Sequence, residues 1–171
     1  DVAAVEADCI IALDDPLDAE LFKDKNASIA GAVSNAPRGV QQGAVWGIDR
    51  IDSRAGRDQT YNYGNVEGAN TRVYVLDTGI RISHGDFGGR AVAGWSSGCD
   101  SPGCGGSTQW AYQGVIDEQL ANRGCSGHGT HCASTVGGTA YGVAKKTTLI
   151  AVQVLSCSGS GSYSGVSAGI E

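Results

Sequence analysis

Residues 73–80 of this chain read VYVLDTGI, and this stretch decides the fold. The apolar, β-branched run from Val73 to Leu76 is typical of a strand buried in a parallel sheet, and the Thr-Gly pair after Asp77 predicts the turn that follows. Asp77 then lies at the carboxyl end of a strand, where open α/β sheets place their functional sites. The stretch therefore predicts an α/β fold with a functional carboxylate at one edge of its sheet.

A second stretch, residues 127–135, reads GHGTHCAST. His128 lies between two glycines and just ahead of residues 132–136, which can pack as a helix, so its imidazole is expected to project from a helix start. An aspartate that holds the imidazole Nδ1 proton leaves Nε2 to take a proton from a hydroxyl nucleophile. Taken singly, Asp77 could cap a turn and His128 could be an incidental polar residue. The order Asp then His, each inside a longer motif, favours the catalytic interpretation.

With these motifs the chain resembles the subtilisin-like serine proteases, and among them the secreted proteinase K-like subgroup. The matching segments are residues 46–52 (WGIDRID), 73–80, 83–90 (SHGDFGGR), 127–135, 141–146 (YGVAKK) and 154–161 (VLSCSGSG). The resemblance implies a subtilisin-like parallel sheet with flanking helices. It also implies a serine endopeptidase acting on protein or peptide substrates, with Asp77 and His128 as two members of an Asp-His-Ser triad and no organic cofactor.

The resemblance also assigns a substrate-binding segment. Gly159, Ser160 and Gly161 would form the edge strand that pairs with an extended substrate, and Tyr163 would lie near a side-chain pocket. Without the flanking matches, this Gly/Ser tract would favour a flexible linker.

The resemblance covers the amino-terminal part of a catalytic domain. The chain ends at Glu171, before the segments in which the family carries its oxyanion-hole asparagine and its Gly-Thr-Ser nucleophile. The serines that follow His128 do not lie in a strand-turn-helix setting that would activate a hydroxyl. We therefore expect an incomplete sheet, with strands at 73–77, 91–95 and 147–155, and a chain that is inactive alone. We expect the missing carboxyl-terminal half, or a partner chain, to cover the open sheet.

The amino-terminal residues indicate a different unit. Residues 1–25 resemble the carboxyl-terminal tail of the family's inhibitory propeptide, residues 26–43 read as the linker with the processing site, and residues 44–171 belong to the peptidase domain. Residues 1–24 contain eight acidic residues and one lysine, so the net charge of −6 is a property of this tail. The same charges would also fit a solvated acidic face. No basic patch indicates nucleic-acid binding, and no apolar run reaches the roughly 20 residues of a membrane span.

The six cysteines indicate a secreted, extracellular protein or one of another oxidising compartment. The resemblance implies a disulfide between Cys125 and Cys157, and Cys99 and Cys104 could close a small loop on an insertion. A zinc site is the rival interpretation, but the chain lacks two paired Cys-x2-Cys clusters. Cys132 is expected to be a buried thiol. A cysteine nucleophile at this position is a poorer alternative, because the side chain should point into the core.

Three carboxylates lie close together in the sequence: Asp49, Asp52 and Asp58, with Ser53 and Thr60 nearby. Calcium is the natural cation for such an oxygen-rich loop, and relatives in the family bind calcium at the corresponding loop. The alternative is a helix cap with surface carboxylates.

Three interpretations of the whole remain open. The favoured one is a fragment of an active secreted endopeptidase; the others are a non-catalytic, peptidase-like interaction subunit and an uncleaved zymogen silenced by its own propeptide. The mass of the native protein separates the first two, because an enzyme requires a chain well above 171 residues.

Overall fold

The computed structural model describes residues 8–12, 39–98 and 111–171. Within them the strands are β1 (Ile10–Ala12), β2 (Val40–Gln42), β3 (Thr60–Asn62), β4 (Arg72–Asp77), β5 (Ala91–Ser96), β6 (Thr148–Gln153) and β7 (Ser160–Ser162). The α-helices are α1 (Trp46–Ile51), α2 (Glu118–Asn122), α3 (His128–Gly137) and α4 (Tyr163–Ile170), and a 3-10 turn spans Gly85–Phe87.

The central sheet of the described residues has the strand order β4-β6-β5, and all three strands are parallel. Its register pairs Arg72 with Thr148 at one end and Asp77 with Gln153 at the other. The three strands predicted from the sequence are thereby confirmed, as is the α/β fold with flanking helices. The register places Asp77 at the carboxyl edge of the sheet, as the apolar run before it predicts.

Helix α3 packs closely on this sheet through small residues spaced four apart. Gly129, Ala133 and Gly137 are all buried and share one helix face. At Gly137 an added Cβ would come within 2.7 Å of the Thr147 side chain and 3.0 Å of Leu149. Only a residue without a side chain therefore lets the helix lie this close to β6. The main core beside it includes Val75, Ile80, Phe87, Ala133 and Leu149.

The antiparallel β2-β3 pair contacts the segment between α3 and β6 through Lys145. The Lys145 ammonium donates to the carbonyls of Thr139 at 3.1 Å and Gly142 at 3.0 Å, and it lies 5.2 Å from the centre of the Tyr61 ring. The Tyr61 hydroxyl in turn donates to the Val143 carbonyl at 3.1 Å. Burial lowers the pKa of Lys145 to about 8, because the charged form loses hydration.

Strand β1 lies apart from the central sheet and pairs antiparallel with β7. The loop expected for Cys99 and Cys104 lies outside the described residues, as do residues 13–38, so the tail and linker boundaries stay predictions. Among the described helices, none combines the length and the apolar character that crossing a bilayer requires.

Candidate active site

The structure brings Asp77 and His128 together. The His128 Nδ1 atom lies 2.9 Å from Oδ1 and 2.7 Å from Oδ2 of Asp77. Asp77 is the last residue of β4 and is 7% exposed, whereas His128 is the first residue of α3. The carboxylate is therefore placed to hold the Nδ1 proton, which leaves Nε2 as the proton-accepting atom.

The Asp77 carboxylate is held by the backbone around it. Its Oδ1 accepts the N–H of Thr78 at 2.6 Å. The carbonyl of Asp77 accepts the N–H groups of Val154 at 2.9 Å and Leu155 at 3.1 Å, just beyond the end of β6. These bonds fix the orientation of the carboxylate before any substrate is present.

The close approach of the two motifs depends on Gly129. An added Cβ at this position would lie 2.4 Å from the Gly79 carbonyl and 3.1 Å from the Cβ of Asp77. Any larger residue would push the start of α3 away from the end of β4. The glycine after the histidine is thus part of the geometry, a role that the sequence pattern alone did not indicate.

Cys132 lies beside the same imidazole. Its Sγ atom is 3.7 Å from Nδ1 and 4.0 Å from Nε2 of His128. The expectation of a buried thiol that points into the core is therefore wrong in part, because the residue is half-buried and its sulfur faces the ring. Among the described residues, Asp77, His128 and Cys132 form a group whose ligand atoms all lie within 4.8 Å of one another.

A disulfide joins Cys125 and Cys157, the pair implied by the resemblance, with Cα atoms 4.2 Å apart. The neighbouring Ser126 N–H donates to the Cys157 carbonyl at 2.9 Å. Together these contacts tie the loop that precedes His128 to the segment that follows β6.

The predicted edge strand is occupied by the amino-terminal tail. In the β1-β7 register, Ile11 lies opposite Gly161 and Ala12 opposite Ser160. A Cβ at Gly161 would lie 2.3 Å from the Val154 carbonyl, so the edge strand also requires a glycine there. Gly159, with φ of 82°, forms the turn that leads into β7.

The tail is also anchored at the start of α4. The Tyr163 N–H donates to the Cys9 carbonyl at 3.0 Å, and the Tyr163 side chain is largely exposed. The Asp8 carboxylate accepts the Ser164 N–H at 2.9 Å and the Ser164 hydroxyl at 2.5 Å. These bonds, the hydroxyl bond foremost, hold the pKa of Asp8 below its ordinary value. Sequence reasoning missed this contact, which joins residues 156 positions apart.

In the loop predicted to bind calcium, Asp49 has a structural role. It is 3% exposed, and its Oδ1 and Oδ2 accept the backbone N–H groups of Asp58 at 3.0 Å and Gln59 at 3.1 Å. Both oxygens are thus used within the loop. The role of Asp49 as a calcium ligand stays a prediction, because each oxygen keeps a further lone pair.

The other two carboxylates of the loop are more exposed. Asp52 accepts the Asn62 N–H at 2.5 Å, and Asp58 accepts the N–H and the hydroxyl of Thr60 at 2.9 and 2.7 Å. The Thr60 hydroxyl bond holds the pKa of Asp58 below its ordinary value. The three carboxylates are not among the convergent ligand groups of the described residues. Calcium binding stays a prediction, which an unfolding temperature measured with calcium and with EDTA would test.

Comparisons with known proteins identify the family and several relatives of this chain. The model of the subtilase family, Peptidase_S8, matches residues 68–171. The chain is 43% identical over 132 residues to "Alkaline serine exoprotease A" of Vibrio alginolyticus, a match that covers 77% of this chain and 21% of that protein. It is 47% identical over 133 residues to "Extracellular serine proteinase" of Thermus sp. (strain Rt41A), covering 77% of this chain and 28% of that protein.

Among solved structures, a cold-adapted subtilisin-like serine proteinase matches with a TM-score of 0.59 and 41% identity, over 75% of this chain and 41% of that one. The matched region thus spans between about a fifth and two fifths of the length of these relatives.

Proposed function

This chain belongs to the subtilase family, and we propose that it forms the amino-terminal part of a secreted serine endopeptidase. The observation that carries the proposal is the contact of 2.7 Å between His128 Nδ1 and Asp77 Oδ2 at the carboxyl edge of the sheet. The pair supplies the base and its orienting carboxylate for acyl transfer. We propose that a serine outside residues 1–171 supplies the nucleophile.

In this reaction Asp77 holds His128 in the tautomer that protonates Nδ1. His128 Nε2 takes the proton of the attacking hydroxyl and returns it to the leaving amine, while Asp77 stabilises the imidazolium between the two steps. Strand β7 binds the substrate backbone by adding it as a further strand. Secretion is supported by the Cys125–Cys157 disulfide and by a relative that is named as extracellular.

The test is hydrolysis of an extended peptide by the protein that carries this chain. We expect hydrolysis that a fluorophosphonate abolishes, and neither hydrolysis nor labelling with residues 1–171 alone, because the reagent needs an activated hydroxyl. Labelling of a serine within residues 1–171 that His128→Ala abolishes would contradict the assignment of the nucleophile. Hydrolysis that resists the reagent would contradict the serine mechanism itself.

We propose that the amino-terminal tail acts as an inhibitory propeptide. The pairing of β1 with β7 supports this, because the tail then occupies the strand position that a substrate needs. A non-catalytic subunit remains the second candidate, but it gives no reason for the Asp77–His128 geometry. An uncleaved zymogen would use the same contact between the tail and the edge strand.

A peptide of residues 1–25 is therefore expected to inhibit the active protein. The Asp8→Ala peptide should inhibit severalfold more weakly, because the Ser164 N–H and hydroxyl lose their acceptor. The Asp8→Asn peptide is the matched control and should retain more inhibition, since asparagine keeps an acceptor oxygen. Inhibition constants give the measurement, and equal constants for all three peptides would exclude the anchor.

The lowered pKa of Asp8 sets the direction of the pH dependence. The bound tail favours the charged form of the Asp8 carboxylate. The contribution of Asp8 to binding of the tail is therefore complete above the ordinary aspartate pKa of about 4. It is lost as the pH falls through the lower pKa of the bound state.

A further inference from the structure

Thr78 follows Asp77 directly and is fully buried at the carboxyl end of β4. Its backbone N–H donates to Asp77 Oδ1 at 2.6 Å. Its hydroxyl oxygen accepts the Gly129 N–H at 3.0 Å, and the hydroxyl lies 3.4 Å from the Ser126 carbonyl to which it donates. One residue thus touches the carboxylate and the backbone on both sides of His128.

Helix α3 depends on this contact because it lacks a side-chain cap at its N-cap residue. That residue is Gly127, which makes no side-chain cap bond. The Gly129 N–H is one of the first amides of the helix, which have no partner within the helix. Thr78 supplies the acceptor from the neighbouring strand, so a buried donor that would otherwise be unsatisfied is paired.

The same contact restricts the position of the imidazole. The turn cannot move closer to β4, because Gly129 already meets the Gly79 carbonyl and Asp77. The Thr78 hydroxyl holds the turn so that it does not move away. A triad requires its base within a few tenths of an ångström of the productive position, and a displacement of about 1 Å can cost about 100-fold in rate.

We propose that Thr78 is a positioning residue that fixes His128 against Asp77 by binding the first turn of α3 through its hydroxyl. The proposal rests on the proposed peptidase function only where activity is the readout. Thr78 does not touch the reacting atoms, and its effect on the reaction passes through the placement of His128.

Thr130 offers a matched control in the same helix. It is 5% exposed, and its hydroxyl oxygen accepts the Arg81 N–H at 3.0 Å. Thr130→Val therefore removes a buried hydroxyl and one bond to a backbone amide, as Thr78→Val does. It leaves the Gly129 N–H and the turn around His128 with their partners.

The experiment compares Thr78→Val, Thr78→Ser and Thr130→Val in the protein that carries this chain. We expect Thr78→Val to lower kcat about 10- to 100-fold with KM nearly unchanged. It should also shift or broaden the low-field proton NMR signal of His128 Nδ1–H, which is shared with Asp77. Thr78→Ser should recover most of kcat and the signal, because serine keeps the hydroxyl. Thr130→Val should lower the unfolding temperature by a similar amount while kcat and the NMR signal stay as in wild type.

Equal losses of kcat in Thr78→Val and Thr130→Val would overturn the proposal, since the loss of any buried hydrogen bond in this region would then have the same effect. An unchanged His128 signal in Thr78→Val would overturn it as well. If the wild-type protein hydrolyses no peptide, the proposed function fails, and the NMR signal in the three variants still decides the role of Thr78. If Thr78→Val does not fold, the comparison of Thr78→Ser with wild type decides, and a displaced signal in Thr78→Ser would count against the role of the hydroxyl.

Discussion

His128→Ala is expected to lower kcat for peptide hydrolysis by about a millionfold in the protein that carries this chain. The magnitude is the one measured in subtilisin, a relative, when its triad histidine is removed. The physical reason is that alanine leaves no base to accept the hydroxyl proton. Asp77 cannot replace it, because its carboxylate is 7% exposed and is bonded to the Thr78 N–H.

The measurement is kcat and KM for an extended peptide, with circular dichroism to show that the fold is retained. His131→Ala is the matched control, because His131 lies in the same helix with an exposed side chain. We expect its kcat to stay within a few-fold of wild type, since it lies outside the Asp77–His128 contact. A His128→Ala variant with kcat within tenfold of wild type would show that the imidazole is not the general base.

The sequence predicts this part of the site because each motif is local. The apolar run before Asp77 has the pattern of a buried strand, and the glycines around His128 mark a helix start, so the sheet edge on which they meet follows from general rules of α/β folds. The parallel strands were predictable for the same reason. Which strand lies beside which could be learned only from the structure.

Contacts between distant segments were beyond the reach of these patterns. Asp8 meets Ser164 only after β1 has paired with β7, and no local pattern in the acidic tail singles out this carboxylate. Cys132, which follows His131 in the motif, was expected to be a buried thiol that points into the core. It does pack against the main core, but it is half-buried and its sulfur also lies beside the imidazole one helical turn earlier, since side chains four residues apart share a helix face.

The loop with Asp49, Asp52 and Asp58 shows a different limit of prediction from the sequence. Asp49 and Asp58 have the spacing of oxygen ligands. The sequence shows only an aspartate, however, whether its carboxylate binds a cation or accepts hydrogen bonds from backbone amides. The structure shows that the backbone N–H groups of Asp58 and Gln59 donate to Asp49, and calcium binding by the loop stays a prediction.

Removal of the Cys125–Cys157 disulfide is expected to have a large effect on the stability of the fold. Replacing Cys125 and Cys157 together by serine should lower the free energy of unfolding by about 3 to 4 kcal/mol, the chain-entropy value for a sequence separation of 32 residues. The unfolded chain gains the conformations that the crosslink excludes, while the folded state keeps most of its contacts. Denaturant unfolding of the protein that carries this chain measures the change.

Cys9→Ser is the control, because it removes an exposed cysteine and leaves the disulfide in place. Its stability should stay within about 0.5 kcal/mol of wild type. Reductant should destabilise the wild type by at least as much as the double replacement does, because it opens the Cys125–Cys157 bond. A double variant within about 1 kcal/mol of wild type would mean that the unfolded chain is already restricted without the crosslink.

The double cysteine variant also separates an effect on stability from an effect on the position of His128. Its loop carries Ser126, whose hydroxyl oxygen accepts the His128 N–H at 3.2 Å and whose own N–H donates to the Cys157 carbonyl. The carbonyl bond remains when the sulfurs are gone, and Thr78 still binds Gly129 on the other side of the histidine. We therefore expect kcat at a temperature well below unfolding to fall only a few-fold, whereas the unfolding midpoint falls strongly. A loss of kcat as large as that of Thr78→Val would show that the crosslink contributes as much as the Thr78 hydroxyl to the position of the imidazole.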